Sequence, residues 1–349
     1  MPAGDLDATL AFFTDILGFR VAAIFPADAP AVAVVAGHGL RLRLDGAAAG
    51  DPGTLRLACT APETVAGGAR RLTAPNGTVV DIVDADPPLE VPPLAPRLVV
   101  TRRAADAAWH RGRAGMTYRD LIPDRLGGRF IASHIRIEDG GPVPDYVHFH
   151  KIRFQMIYVA RGWVRVVYED QGAPFVMHAG DCVLQPPRIR HRVLESSPGL
   201  EVVEIACPAW HETFADPALD LPNARLRPQR DFSGQRFVRH VAAGARWQAA
   251  GAFAWRDIGF AAATGGLAAA RVVRLRGAPP PRRAARHDAE FDFLFVLAGA
   301  LTLECAGAHR LEAGDCCVVP GGTDYAIDAC TPDLQLLEVL LPAAAGAPA

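Results

Sequence analysis

The sequence predicts a mainly β protein, with two jelly-roll β-barrels in tandem behind a small α+β module. Three observations predict it. Residues 109–162 recur over 247–299 in a constant register. Each copy consists of short β-rich runs closed by Gly-Asp and proline turns, the pattern of a sandwich or a jelly-roll barrel. Residues 5–19 instead carry apolar residues at helical spacing. The 349 residues allow roughly two or three domains. A net charge of −2 gives no bulk electrostatic case for nucleic acid or an anionic membrane. No apolar run is long enough to span a bilayer, and no leader with a basic start and an apolar centre is present.

The first element is the amino-terminal module, 1–90. Leu6, Leu10, Phe13 and Leu17 lie on one helical face and Gly18 ends the helix. β-like runs follow, and Ala74-Pro75-Asn76-Gly77 turns into a closing strand that contains Asp81. The helix ending in Leu17-Gly18-Phe19 and that closing turn resemble one βαβββ module of the vicinal oxygen chelate (glyoxalase-like) superfamily. The first strand is missing or truncated, and Asp81 falls at the family's closing glutamate. A single module lacks the paired half that completes a metal site, so the resemblance implies a dimerisation role or a wall over a neighbouring cavity rather than independent catalysis. Proline-rich residues 85–97 form a linker.

The repeat defines the next two elements, 98–215 and 236–345. Arg119-Asp120-Leu121 answers Arg256-Asp257-Ile258, an offset of 137 (256 against 119). At that offset Gly128 meets Gly265, His150 meets His287, Gln155 meets Asp292 and Gly162 meets Gly299. After one hairpin change the offset becomes 134 (314 against 180): Gly180-Asp181-Cys182 answers Gly314-Asp315-Cys316 and Glu204 answers Glu338. Runs such as Val164-Arg165-Val166-Val167-Tyr168 and Leu301-Thr302-Leu303-Glu304 read as strands. Residues about 211–245 read as the connector between the copies.

Within the first copy, His148-Phe149-His150 sits in a β-forming run, so both imidazoles face one side. His191 follows a Gly-Asp turn and can meet them from a neighbouring antiparallel strand. Three neutral imidazoles suit Fe, Zn, Ni, Mn or Cu and leave coordination positions open. At these residues the chain resembles the cupin superfamily. The family's first motif corresponds to Gly141, His148, His150, Gln155 and Gly162. Its second corresponds to Gly180, Pro186, His191 and Glu195, with Arg188 in place of the second glycine. The resemblance covers residues about 110–345. It implies a divalent transition metal, Fe2+ foremost, on His148, His150, His191 and Gln155. Gln155 replaces the usual glutamate; its oxygen can bind a metal, and a three-histidine site without it is equally open.

The second copy keeps only His287, with Ala285, Asp292 and Tyr325 at the other ligand positions, and reads as structural or as a metal-free cavity. Near the first site, Arg153, Arg188 and Arg190 are either solvated or clamp an anionic substrate. Arg153, Tyr158 and Arg190 are the candidate catalytic residues; Tyr158 and Glu204 could also support the ligands from behind, and the match of Glu204 to Glu338 in the metal-poor copy favours a structural role for it. His134, His178 and His211 lack motif spacing. The cysteines form no CxxC pairs and read as buried reduced thiols of a cytoplasmic protein. The resemblance to bicupin quercetinases implies a dioxygenase acting on a small enolic, diketone or aromatic acid. A metal-dependent isomerase, lyase or hydrolase and a non-enzymatic binding module are the alternatives. The expected partner is a small molecule, anionic if the arginines engage it. A homodimer is the default assembly, and no nucleic acid or membrane partner is expected.

Overall fold

The computed structural model describes residues 1–104, 108–277 and 282–343. The chain divides into two compact units, Met1–Pro88 and Leu89–Ala349.

In the first unit, Asp5 caps the helix Leu6–Ala11 by accepting from the Ala8 amide at 3.0 Å. The helix continues as a π turn over Phe12–Ile16. Leu6, Phe13 and Leu17 are buried with Phe19, Val35 and Leu44, as the helical spacing predicts. Strands Arg20–Phe25, Val32–Gly37 and Leu40–Asp45 form an antiparallel meander. The structure has the expected truncation ahead of the helix, and the βαβββ order needs correcting beyond the meander. Ahead of the helix only Pro2 pairs, in parallel with Asp45. Beyond the meander lies a second sheet, in which Thr54–Cys59 runs parallel to Val79–Asp84 and Arg71–Thr73 pairs on its other side. Asp81 lies in the central strand of that sheet, 3.7 Å from the Arg71 guanidinium.

The second unit holds the repeat as two β-rich barrels. The first has a seven-stranded sheet that includes Cys182–Leu184, Phe154–Arg161, Leu200–Cys207 and Ile131–Ile137. It faces a smaller sheet built on Trp163–Tyr168, His191–Ser196 and His148–His150. The second barrel repeats the plan with Cys316–Val319, Phe291–Ala298, Gln335–Leu341 and Ala269–Leu275. Tyr158 pairs with Cys182 and Phe295 with Cys316, the positions that the sequence register equates. Gly162 and Gly299 close equivalent turns at φ +78° and +69°. A Cβ there would collide with Ser197 Oγ and Thr331 Oγ1, so the turn needs glycine for space as well as for conformation.

An exchange of strands crosses the boundaries drawn from sequence. Val99–Thr101, assigned to the first barrel, pairs with Cys316–Val318 of the second. Val238–His240, assigned to the second, pairs with Cys182–Leu184 of the first. The aspartates of the two Gly-Asp turns fasten the exchanged segments. Asp315 Oδ1 accepts from the Arg103 amide at 2.7 Å, and Asp181 Oδ1 from the Ala242 amide at 2.8 Å. Each exchanged strand covers a sheet edge that would otherwise expose unpaired backbone groups.

One buried cluster runs through both barrels. Phe130, Phe154 and Ile205 pack with Phe260, Phe291, Phe293 and Val339. Phe130 stacks on Phe291 with centroids 4.1 Å apart.

The connector is also more than a linker. Thr213–Ala215 pairs beside His148–His150. Buried Asp170 holds the following stretch through Asn223 Nδ2 at 2.7 Å, Arg227 Nε at 2.9 Å and Arg230 Nη1 at 2.9 Å. All seven cysteines are buried and free. Among the described residues no helix is long and apolar enough to cross a membrane.

Candidate metal centre

Strand alternation turns His148 and His150 to the barrel interior, and His191 lies directly across the strand pair from His148. All three are buried. Their ligand nitrogens lie within 4.8 Å of one another. Each ring is fixed through its other nitrogen. Nδ1 of His148 meets the Tyr146 carbonyl at 2.8 Å, that of His150 the Glu212 carbonyl at 3.1 Å, and that of His191 the Ile189 carbonyl at 3.0 Å. A carbonyl only accepts, so each Nδ1 carries the proton and each Nε2 keeps its lone pair.

The same environment keeps the rings neutral. Burial, reinforced by His211 and His148, holds His150 down at about 3. Burial and the two neighbouring histidines hold His191 well below the usual histidine range. Burial and the Arg113 charge lower His148. Neutral imidazoles with converging lone pairs are the form that binds a transition ion.

The turn that delivers His191 departs from the family motif in sequence but not in shape. Arg188 adopts φ +65°, the left-handed conformation that the motif's glycine takes freely. Its amide donates to the His150 carbonyl at 2.9 Å, which ties the two ligand segments together. Tyr168 lies parallel to the His191 ring with centroids 5.5 Å apart, and its hydroxyl accepts from Gln185 Nε2 at 2.9 Å.

The histidines line a cavity of roughly 720 Å³, open mouth included. Met116, Ile135, Ile137, Ile157, Val164 and Val166 form much of its wall. Gln155, Glu204, Arg113 and Arg192 also line it. Gln155 Nε2 donates to Glu204 Oε1 at 2.6 Å. That bond turns the amide nitrogen to the carboxylate and leaves the amide oxygen as the atom that can serve a cation. Arg113 Nη2 lies 2.7 Å from His148 Nε2. Its Nη1 pairs with buried Asp145, whose second oxygen accepts from the Val193 amide at 2.9 Å.

The three catalytic candidates lie outside this cavity lining. On Phe154–Arg161, Gln155 and Ile157 face inward, so Tyr158 faces the opposite side and joins the cluster between the barrels. Arg153 reaches the Glu290 carboxylate in the other half of the unit. Arg190, adjacent in sequence to His191, turns away from it, pairs with Asp216 at 3.0 Å and covers the Phe149 ring.

Sequence reasoning missed Arg113 and Asp145, which no motif marks. It also gave Glu204 a structural role on the strength of its match to Glu338. Of the remaining histidines, His211 lies 5.2 Å from His150 by ring centroid, with Nδ1 on the Pro208 carbonyl, and His134 pairs with Glu201.

In the second barrel, His287 Nε2 lies 3.2 Å from Asp292, and Arg271 pairs with Glu338. Here Nδ1 accepts from the Ala289 amide at 3.1 Å, so Nε2 carries the proton, the reverse of the first barrel.

No family model and no curated protein matches this chain. Solved structures do. A mutant of the Bacillus subtilis oxalate decarboxylase is similar at 13% identity and TM-score 0.52, over 74% of this chain and 80% of that one. The Lactobacillus farciminis oxalate decarboxylase in a formate complex is similar at 16% identity and TM-score 0.51, over 73% and 88%. The protein Ylba from E. coli is similar at 10% identity and TM-score 0.55, over 71% and 91%. At these identities the likeness establishes a β-rich bicupin fold.

Proposed function

We propose that this bicupin is a metal-dependent enzyme acting on a small anionic substrate at the site of His148, His150 and His191. The observation that carries the reading is the fixing of all three Nδ1 atoms on backbone carbonyls, which directs three Nε2 lone pairs to one place inside a cavity. A divalent transition ion held there would supply Lewis acidity and, as iron or manganese, a redox couple. The Bacillus subtilis oxalate decarboxylase is described with Mn(II) centres, which puts Mn(II) beside Fe2+ as the ion to test.

The chain's own residues define what the site accepts. The three histidines are neutral, Asp145 balances Arg113 and Glu204 balances Arg192, so a bound divalent ion would supply the positive charge that favours an anion. The aliphatic wall suits the carbon body of an enolic, diketone or aromatic acid and excludes water from it. Glu204, held in place by Gln155, is a carboxylate inside the cavity able to take a proton from a bound substrate. The buried free thiols fit the reducing setting of a cytoplasm.

Our first reading of the chemistry is a dioxygenase, which uses the open coordination positions and the apolar wall. The second is a decarboxylase or other lyase without net use of oxygen. The fold shared with oxalate decarboxylases and the carboxylate at Glu204 favour it. Protein loaded with Fe(II) or Mn(II) is offered a panel of such acids in air and under argon. Oxygen uptake matched to product supports the first reading, and equal turnover under argon supports the second. No turnover of any acid with any loaded ion would sink the enzyme reading.

A further inference from the structure

We infer that Arg113 is a latch on the metal position: its guanidinium and an entering divalent ion compete for the same lone pair of His148. The inference rests on the reading of the three histidines as an ion site. His148 Nδ1 donates to the Tyr146 carbonyl, so Nε2 is an acceptor. A guanidinium has donors only, so the 2.7 Å contact is Arg113 Nη2 donating into that lone pair. An ion on His148 Nε2 needs the same electrons. The two arrangements exclude one another.

The geometry also shows how the latch opens. Arg113 sits in the short turn Arg113–Gly115 between the strands His110–Arg111 and Thr117–Asp120. Its side chain is 32% exposed, so it reaches the cavity from the surface side. It grips at two points. Nη2 holds His148, and Nη1 holds Asp145, which is itself anchored by the Val193 amide. The Asp145 grip can persist while Nη2 lets go, so the guanidinium pivots instead of leaving.

The released Nη2 donors then stand beside the ion position. They are suited to the oxygen of a carboxylate or enolate bound there. Loading therefore runs in order: the ion displaces Arg113 from His148, and the anion then takes the freed donors. This gives Arg113 a positioning role toward the substrate anion that Arg153 and Arg190 cannot fill from outside the cavity.

The test uses the full chain and Co(II) alone, followed by visible absorbance in stopped flow and at equilibrium. In the wild type the observed binding rate should saturate with Co(II) concentration, because latch opening becomes limiting. In Arg113→Ala it should rise linearly, and Co(II) should bind roughly tenfold more tightly, the scale of one charge-assisted hydrogen bond. Simple relief of charge repulsion would shift the slope and leave both proteins linear, and that result overturns the latch. Equal affinity in the two proteins also overturns it. If Arg113→Ala does not fold, a linear rate in the wild type overturns the latch on its own. A saturating rate there supports it, and Arg113→Lys, which keeps the charge without the fork, should bind faster than the wild type at high Co(II). Failure of both proteins to take up Co(II) removes the ion-site reading and the latch with it. Uptake by both with the same kinetics removes the latch alone.

Discussion

Phe291→Ala probes whether the two barrels share one core. Phe291 is fully buried between Phe130, stacked at 4.1 Å, and Phe293, whose ring centroid lies 5.9 Å away. A buried phenylalanine hides roughly 150–250 Å². At roughly 25 cal/mol per Å² its burial contributes about 4–6 kcal/mol. Alanine retains the first carbon, and the two flanking rings, Phe130 just ahead of Ile131–Ile137 and Phe293 on the strand of Phe291 itself, are held by separate segments and cannot both close the gap. The expected loss is about 3–5 kcal/mol, the range for such truncations in rigid cores. Guanidinium unfolding should be followed by far-UV circular dichroism and by tryptophan fluorescence. The fluorophores report on both halves, since Trp163 lies in the first barrel and Trp255 in the second. The reasoning requires a single tryptophan-fluorescence transition in wild type and variant, with its midpoint lowered in the variant. A biphasic wild-type fluorescence curve, or a loss below about 1 kcal/mol, would refute it.

Three further outcomes are expected. Metal analysis of protein equilibrated with Mn(II) should give one tightly held ion per chain, because the second barrel presents one histidine in the reversed tautomer; His191→Ala should abolish the uptake, and two tight ions per chain would contradict the assignment. Tyr168→Phe strands the Gln185 amide in a buried site and should cost about 1–3 kcal/mol in unfolding free energy, with weaker Mn(II) binding as the His191 ring loses a fixed neighbour; unchanged values in both assays would count against it. Hydrogen bonding from His134 holds the Glu201 carboxyl down at about 2, so the unfolded chain takes up this proton first as the solution is acidified. The stabilisation is fully present above pH about 4.5 and is lost between there and about 2; Glu201→Gln should flatten melting temperature against pH in that window, and parallel curves would exclude the role.

The sequence made much of the scaffold legible because the repeat preserves the residues that a β-barrel cannot do without. Gly162 and Gly299 occupy positive-φ turns with no room for a side chain, and the Gly-Asp pairs fix equivalent corners. The histidines were legible because a His-x-His spacing on a strand has only one geometric outcome. The same parity carried a signal about the catalytic candidates. On Phe154–Arg161 a residue one step from inward-facing Gln155 and Ile157 points elsewhere, which takes Tyr158 out of the lining. Arg113 was not legible, because it reaches His148 across 35 positions from a turn with no motif of its own. Strand exchange was hidden for a similar reason: three-residue strands such as Val99–Thr101 carry too short a pattern to reveal which sheet they complete.

The reciprocal loan of strands between the barrels bears on what the second half, with no histidine cluster among its described residues, contributes. A chain cut in the connector would yield two fragments, each missing an outer ribbon that only the other can donate. The half that carries the histidine cluster therefore depends on the other for the seal on a sheet and for part of its aromatic interior. The second barrel's own polar centre, with Arg271 on Glu338 and His287 against Asp292, pairs its polar groups with one another from within.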